Sequence, residues 1–378
     1  MSHHFNRLTL LAVLGYAPLL GAQTPATGSD AATPPASIAV DAEASATEAQ
    51  AEPEARGSRM VEEIIVTAQK REENLADVPI SISAFSAETL DARGISDPKD
   101  LPLATPGLTI GSQAGFTITY LRGVGSDAFL MADPSVALYI DGVYFPFAHG
   151  LAQNFGAIER VEVLKGPQGT LFGRNATGGA ISVVTKAPDF QAPETSLQAS
   201  YGEFNDLQTR AHVNVPLTDT FAVSASAIYT NVNSHLEDAT IRGEPLPDEN
   251  SRGARIKLRW APLENLDLML AGFTLQQQGT STMYAVNSDP SLIGQLAGIQ
   301  PETGYGGDVS APVYFDLDNK VVYGNATLNL TPFDLKLIAS RQEVHTSSLF
   351  DFDGSPVPLV SFEAKDQYAD VTSAEFQI

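Results

Sequence analysis

From residue 193 onward, apolar and polar positions alternate along the chain. Leu207, Thr209, Ala211, Val213 and Val215 are separated by Gln208, Arg210, His212 and Asn214. Phe221, Val223, Ala225, Ala227 and Tyr229 are separated by mostly small or polar residues. Ala254, Ile256, Leu258 and Trp260 alternate with Arg255, Lys257 and Arg259, and Leu266, Leu268 and Leu270 continue the pattern. Ala326, Leu328 and Leu330 alternate with Asn325, Thr327 and Asn329, and Leu335, Leu337 and Ala339 open a further segment. Successive side chains of a strand point to opposite faces, so this spacing predicts β-strands with one apolar face.

The connections alternate too. Residues 217–220, 262–265 and 331–333 make short turns, whereas 233–250 and 277–320 are long and polar. A transmembrane β-barrel has short turns on one side and long loops on the other. A soluble β-sandwich also has alternating strands, but long structureless connections are uncommon in compact soluble domains. Charge placement agrees with the barrel. A charge on the lipid face at mid-membrane costs about 2–4 kcal/mol, and Arg255, Lys257 and Arg259 all lie opposite Ile256 and Leu258. Trp260 ends its strand beside a short turn, where an aromatic girdle residue belongs. Beyond the N-terminus there is no apolar run of about 20 residues, so no helix is expected to span a membrane. A closed barrel is the other way to satisfy every backbone group in lipid.

Upstream the pattern is mixed. Residues 79–189 read as one α/β unit, with strand-like runs at 81–85, 117–122, 135–140, 161–164 and 180–185. Ser86 is placed to cap a short helix, Asp97-Pro98 to start another, and Asp141-Gly142 to make a tight hairpin turn. Ahead of this unit, Glu62-Glu63 precede the β-branched run Ile64-Ile65-Val66-Thr67-Ala68. Such a lone strand either joins a sheet of its own domain or is offered to a partner. Residues 23–60 hold almost no large apolar side chain and are expected to be disordered. In residues 1–22, Arg7, the apolar stretch to Leu20 and Gly21-Ala22 read as a signal peptide, the alternative being an ordinary N-terminal helix. The expected division is 1–22 signal peptide, 23–60 linker, 61–70 exposed strand segment, 71–190 mixed domain and 191–378 barrel strands.

Composition removes several functions. The net charge is −23, from 45 acidic and 22 basic residues, which argues against a nucleic-acid partner. There is no cysteine, hence no disulfide, thiolate metal site or thiol nucleophile. Asp351-Phe352-Asp353-Gly354 is only a fragment of a calcium loop. The glycines at 166, 169, 173, 178 and 179 lack the Lys-Ser or Lys-Thr that a phosphate loop needs, so their expected role is positive φ and close backbone approach. No catalytic residue, metal site or cofactor is expected. A secreted enzyme on a β-sandwich would need a nucleophile elbow, a paired-acid context or a metal motif, and none is found.

Six stretches together resemble the TonB-dependent outer-membrane receptor family: Glu63 to Ala68, Val78-Pro79-Ile80-Ser81-Ile82, Thr105-Pro106-Gly107-Leu108, Leu121-Arg122-Gly123, Tyr139-Ile140-Asp141-Gly142-Val143-Tyr144, and residues 158–181 from Ile158-Glu159-Arg160 through Gly178-Gly179-Ala180-Ile181. The resemblance implies an α+β plug domain followed by the first strands of an antiparallel transmembrane β-barrel, about eight of 22 strands. It implies a ligand importer in the outer membrane of a Gram-negative cell, not an enzyme. Its partners would be the TonB C-terminal domain, a small-molecule ligand such as a metal chelate (an iron-siderophore, for example), and outer-membrane lipid, with no nucleic acid. Glu63, Ile64, Ile65, Val66, Thr67 and Ala68 would be the TonB box, paired with TonB by β-augmentation; the alternative is a plug strand that never leaves. Arg122, Glu159, Arg160, Glu162, Lys165 and Arg174 would be plug–barrel contacts. Lys165 stands where many members have arginine and lacks the bidentate fork, and solvated surface pairs of little worth are the alternative. Ligand contacts, by order along the plug, would come from Gln113, Phe116, Asp127, Phe129, Met131, Phe147 and His149. The sequence stops apparently inside a strand, so the chain reads as incomplete, because an eight-stranded barrel is filled by its own side chains. A truncated, non-transporting periplasmic module is the competing expectation.

Overall fold

The computed structural model describes residues 65–67, 70, 71, 73–95, 98–113, 116–126, 133–146, 157–233, 240, 241, 244, 245, 249–279, 313–351 and 361–378. The expected signal peptide and linker lie outside these residues, and everything below belongs to the unit Val61–Ile378.

The mixed domain begins with β1 (Ile65–Val66) and β2 (Glu73–Asn74), which pair antiparallel. Strands β3 (Ile82–Ser86), β7 (Val136–Ile140), β8 (Val143–Phe145), β9 (Ile158–Lys165) and β10 (Gly179–Thr185) form one sheet in the order β3-β9-β10-β7-β8. Only β10 and β7 run parallel in it. A second sheet joins β4 (Leu108–Gln113), β5 (Phe116–Leu121) and β6 (Val124–Gly125). Three short helices, α1 (Ala87–Ala92), α2 (Leu101–Ala104) and α3 (Gly169–Phe172), complete the domain. Ser86 caps α1 as expected, its side chain accepting from the Thr89 amide at 3.3 Å. Gly179 stands where a Cβ would come within 2.2 Å of the Leu164 carbonyl oxygen, so only glycine fits there.

Strand β9 buries apolar side chains on both of its faces. Val161 and Val163 pack with Phe85, Leu90, Leu101 and Leu121 on one side, and Leu164 packs with Val66, Ala137, Tyr139 and Phe172 on the other. The first of these clusters continues without a break into Ala271, Phe273, Val321, Tyr323 and Ile338 of the second half of the chain.

That second half is a single antiparallel sheet. Its strands are β11 (Glu194–Tyr201), β12 (Leu207–Thr218), β13 (Phe221–Val232), β16 (Glu249–Leu263), β17 (Leu266–Gly279), β18 (Tyr314–Leu330), β19 (Phe333–Asp351) and β20 (Ser361–Gln377), each bonded to its sequence neighbour. A minor ribbon, β14 (Thr240–Ile241) with β15 (Glu244–Pro245), lies between β13 and β16. The expected long connection 277–320 is shorter than its composition suggests, because β17 and β18 extend into it. The alternation appears as two faces: Ile256 is 56% exposed while its neighbour Lys257 is 2% exposed. Leu270, Val322 and Leu337 share the outward face, and Phe273, Val321 and Ile338 share the face that covers the mixed domain.

Candidate functional site

Three features attach the N-terminal segment and the mixed domain to their surroundings. The first is β1. Ile65 pairs with Asn74 and Val66 with Glu73. Val66 is fully buried against Leu164, Tyr139 and Phe172. The Thr67 amide donates to Glu162 Oε1 at 2.9 Å and its hydroxyl donates to the same oxygen at 3.0 Å. Glu162 is completely buried and also accepts from Arg160 Nε at 2.9 Å. A buried carboxylate needs such donors, since leaving one unpaired costs several kcal/mol. The strand expected to be exposed is therefore docked in this state, with Ile65 the partly open residue at 41%. Its β-branched side chains suit a strand, but their pattern does not say which surface the strand rests on. Glu63, Ile64 and Ala68 lie outside the described residues.

The second is Lys70. Its ammonium lies over the Tyr139 and Phe172 rings, 4.6 and 4.9 Å from their centroids. It also pairs with Glu375 of β20 at 3.0 Å. Burial, and then the nearby Glu375 charge, pushes the Tyr139 phenol well above its ordinary value, and its hydroxyl donates to the Phe172 carbonyl.

The third is the β7–β8 turn. Asp141 and Gly142 have φ of 50° and 82°, the left-handed pair that a tight two-residue hairpin needs. This turn carries the Asp141 carboxylate into the wall of the long sheet, where Oδ2 meets Lys257 Nζ at 3.0 Å. The Thr185 amide and hydroxyl each donate to Asp141 at 2.8 Å, and the Tyr323 hydroxyl donates to it as well. Lys257 also donates to the Thr185 carbonyl at 2.9 Å. Burial alone would raise the Asp141 carboxyl, but Lys257, Arg255 and these hydrogen bonds outweigh it and hold it below the ordinary carboxylate value. Two further contacts fix the same hairpin. A Cβ on Gly142 would come within 3.1 Å of Ile338 Cδ1, and Gln342 Nε2 donates to the Tyr144 carbonyl at 2.7 Å. A cavity of about 240 Å³ between the domain and the sheet is lined by Thr67, Lys70, Asp141, Lys257 and Ile338, so it touches all three attachments.

Five of the expected contact residues make bonds within the mixed domain. Arg122 donates to Ser81 Oγ at 2.7 Å. Arg160 bonds Glu159 and Glu162, and Arg174 lies over the Tyr144 ring. These partners are all in the mixed domain, so the bonds of Arg122, Glu159, Arg160, Glu162 and Arg174 stabilise the domain itself. Charged contacts with the described strands of the sheet include Asp141 with Lys257 and Lys70 with Glu375. In the Asp141–Lys257 pair the acid is on the mixed domain and the base on the wall. The available signal was an acid in a protruding hairpin and a lysine on the inward face of a strand. Burial, and then the charge of Arg122, holds the Lys165 ammonium below its ordinary value. Gln113 and Phe116 pair across the β4–β5 hairpin end, while Asp127, Phe129, Met131, Phe147 and His149 lie outside the described residues. Among the described residues no group of three His, Cys, Asp or Glu side chains could hold a metal ion.

Comparison with known proteins gives this arrangement a context. Residues 74–180 match a family model described as the TonB-dependent Receptor Plug Domain. The chain is 29% identical over 203 residues to the pesticin receptor of Yersinia pestis, covering 53% of this chain and 30% of that one. It is 32% identical over 165 residues to the vitamin B12 transporter BtuB of Vibrio vulnificus, covering 42% and 25%. The ferric yersiniabactin uptake receptor FyuA of Yersinia pestis shares the fold with a TM-score of 0.62 at 24% identity, over 72% of this chain and 42% of that one. FpvA of P. aeruginosa, solved with bound heterologous pyoverdines, does so with a TM-score of 0.64 at 17% identity, over 78% and 38%. The matched stretch thus spans less than a third of these curated relatives' length.

Proposed function

We propose that this chain, a member of the TonB-dependent receptor family, supplies the plug and the first barrel strands of an outer-membrane importer energised through TonB. The observation that carries this reading is the docking of β1: a short strand, just ahead of the plug, held by few bonds that another strand can replace. Burial of one valine contributes about 1.5–3 kcal/mol, and hydrogen bonds to a charged group contribute about 1.5–3 kcal/mol each. A ligand that weakens the docked state by a few kcal/mol shifts the population toward a released strand. The released strand then pairs with the TonB C-terminal domain by β-augmentation, in which main-chain bonds carry the affinity.

Ile65, Val66 and Thr67 are the described part of that TonB box, and Glu63, Ile64 and Ala68 complete it. The ligand is a small molecule such as a metal chelate, met first by the plug apices that include Gln113 and Phe116. Arg122 and Lys165 meet acids of the barrel wall. The outward apolar face, with Ile256, Leu270, Val322 and Leu337 exposed, meets outer-membrane lipid. No step of this cycle needs a catalytic group.

The test is Ile65→Pro in the full-length receptor, with growth on chelated iron sources as the readout and outer-membrane level as the control. Proline removes a ladder donor, so uptake-dependent growth is lost while the protein still reaches the membrane; Ile65→Ala grows normally. Undiminished growth of the proline variant would overturn the TonB-box assignment. Recovery of the wild-type protein from the soluble periplasm rather than the outer membrane would favour the non-transporting module.

A further inference from the structure

The cations of β16 carry a role that the docking of β1 does not explain. Arg255, Lys257 and Arg259 occur at every second residue, so they form one column on the inward face, spaced about 7 Å apart. The chain has about two acids for every base, yet this stretch of wall presents three bases in a row. Acceptors from the plug side cover most of the column. Lys257 holds Asp141 and the Thr185 carbonyl. Arg259 donates to the Pro188 carbonyl at 3.2 Å, lies over the Phe190 ring, and pairs with Asp267 of β17 at 2.6 Å.

Arg255 is different. It is 6% exposed and lies over the Phe273 ring at 5.1 Å. Its Nε and Nη2 are buried and have no hydrogen-bond partner among the described residues. Those two atoms form the side-on edge of the guanidinium, whose parallel N–H bonds match the two oxygens of a carboxylate. Lys257 and the Tyr323 hydroxyl both meet the buried carboxylate of Asp141, and Arg255, two residues along the strand, is a second buried cation on the same face. A buried charge left uncompensated costs several kcal/mol, so this part of the wall favours an anion beyond the one the plug provides.

We propose that the column Arg255–Lys257–Arg259 is the wall of an anion path, and that Asp141 occupies it as a resident carboxylate which an anionic ligand replaces. The inference rests on the importer reading and narrows it: the ligand carries a carboxylate or an equivalent planar anion. While the β7–β8 hairpin is docked, the column is covered. When the hairpin moves, Lys257 loses Asp141, and the column lies open to the lumen with Arg255 first on the side of the long loops. Rings and rows of Arg and Lys are how pores select anions.

The test uses the full-length receptor in planar bilayers, with urea added to loosen the plug and a potassium chloride gradient across the membrane. The expected reversal potential is that of a chloride-preferring path. Arg255→Gln lowers the chloride-to-potassium permeability ratio by about twofold or more, while Arg255→Lys keeps it, which separates charge from packing. Both variants are checked for wild-type heat-modifiability. A cation-preferring conductance, or a ratio that Arg255→Gln does not move, overturns the anion path and leaves the importer reading intact. Absence of any urea-dependent conductance in the wild-type protein overturns the importer reading and the path with it.

Discussion

The two ends of the plug sheet are held in opposite ways. On the β3–β9 side, β1 is attached by a two-residue ladder, one buried valine and the bonds of Thr67 to Glu162. On the β7–β8 side, the hairpin is attached to the barrel wall by a buried ion pair and the Tyr323 hydroxyl, and Thr185 of β10 braces both partners of the pair. A force applied at β1 therefore meets a weak attachment first and a strong one last. Under the proposed function, β1 changes partners first and the hairpin leaves the wall last.

The largest test of this contrast is Lys257→Ala. Removing one partner of a buried pair leaves the other charge unpaired, at about 3–5 kcal/mol. Amide hydrogen exchange in β7 and β8 should accelerate by on the order of a hundredfold or more, while β1 exchange changes little. Replacing both partners, as Asp141→Asn with Lys257→Met, should be far milder, because no lone charge remains. Equal effects at β1 and β7–β8 would erase the distinction between the two attachments.

Acid probes the same bond without mutation. The folded Asp141 carboxyl lies below its ordinary value, so its contribution to stability is fully present above the unfolded value of about 3.9. It is lost as pH falls through the depressed folded value. Exchange in the hairpin should stay flat from neutral pH down to mildly acidic pH and rise only in stronger acid. A rise already at mildly acidic pH would mean that another group controls the latch.

Glu162→Gln addresses the weaker attachment. The side chain keeps its shape and can still accept from Thr67, but the charge that strengthens those bonds is gone, along with the match to Arg160. A loss of about 1.5 kcal/mol would raise the ligand-free population of released β1 roughly tenfold. The readout is crosslinking of TonB to a cysteine placed at Ile65, in cells given no chelate. Hairpin exchange should stay at its wild-type rate.

Much of this architecture was legible in the residues themselves. The period of two put Lys257 inward and Ile256 outward, as found. The Ser86 cap and the Asp141-Gly142 turn are local features, and local rules found them. Short strands such as β8, and β20 with its many charged residues, carry too little alternation to stand out. The docking of Val66 was hidden for another reason: propensity reports that a segment extends, not what it lies against. The Asp141–Lys257 bond joins residues far apart in the chain, and only the depth to which the hairpin enters the wall brings them together.

The smallest expected effect belongs to Lys70, which sits between the two attachments. Its bond to Glu375 runs from just beyond β1 to the wall strand β20, but Glu375 is 40% exposed. Pairs open to solvent are worth about 0–1 kcal/mol, and the Tyr139 and Phe172 rings add a cation–π term of about 0.5–1 kcal/mol. Lys70→Met keeps the apolar stem and removes the charge. TonB crosslinking at Ile65 should then rise by severalfold at most, less than for Glu162→Gln, and more at low salt than at high salt, where the pair is already screened. If Lys70→Met instead released β1 more than Glu162→Gln does, the wall and not the plug would be the main support of the leader strand. The contrast between a plug-held strand and a wall-held hairpin would then have to be redrawn around β20.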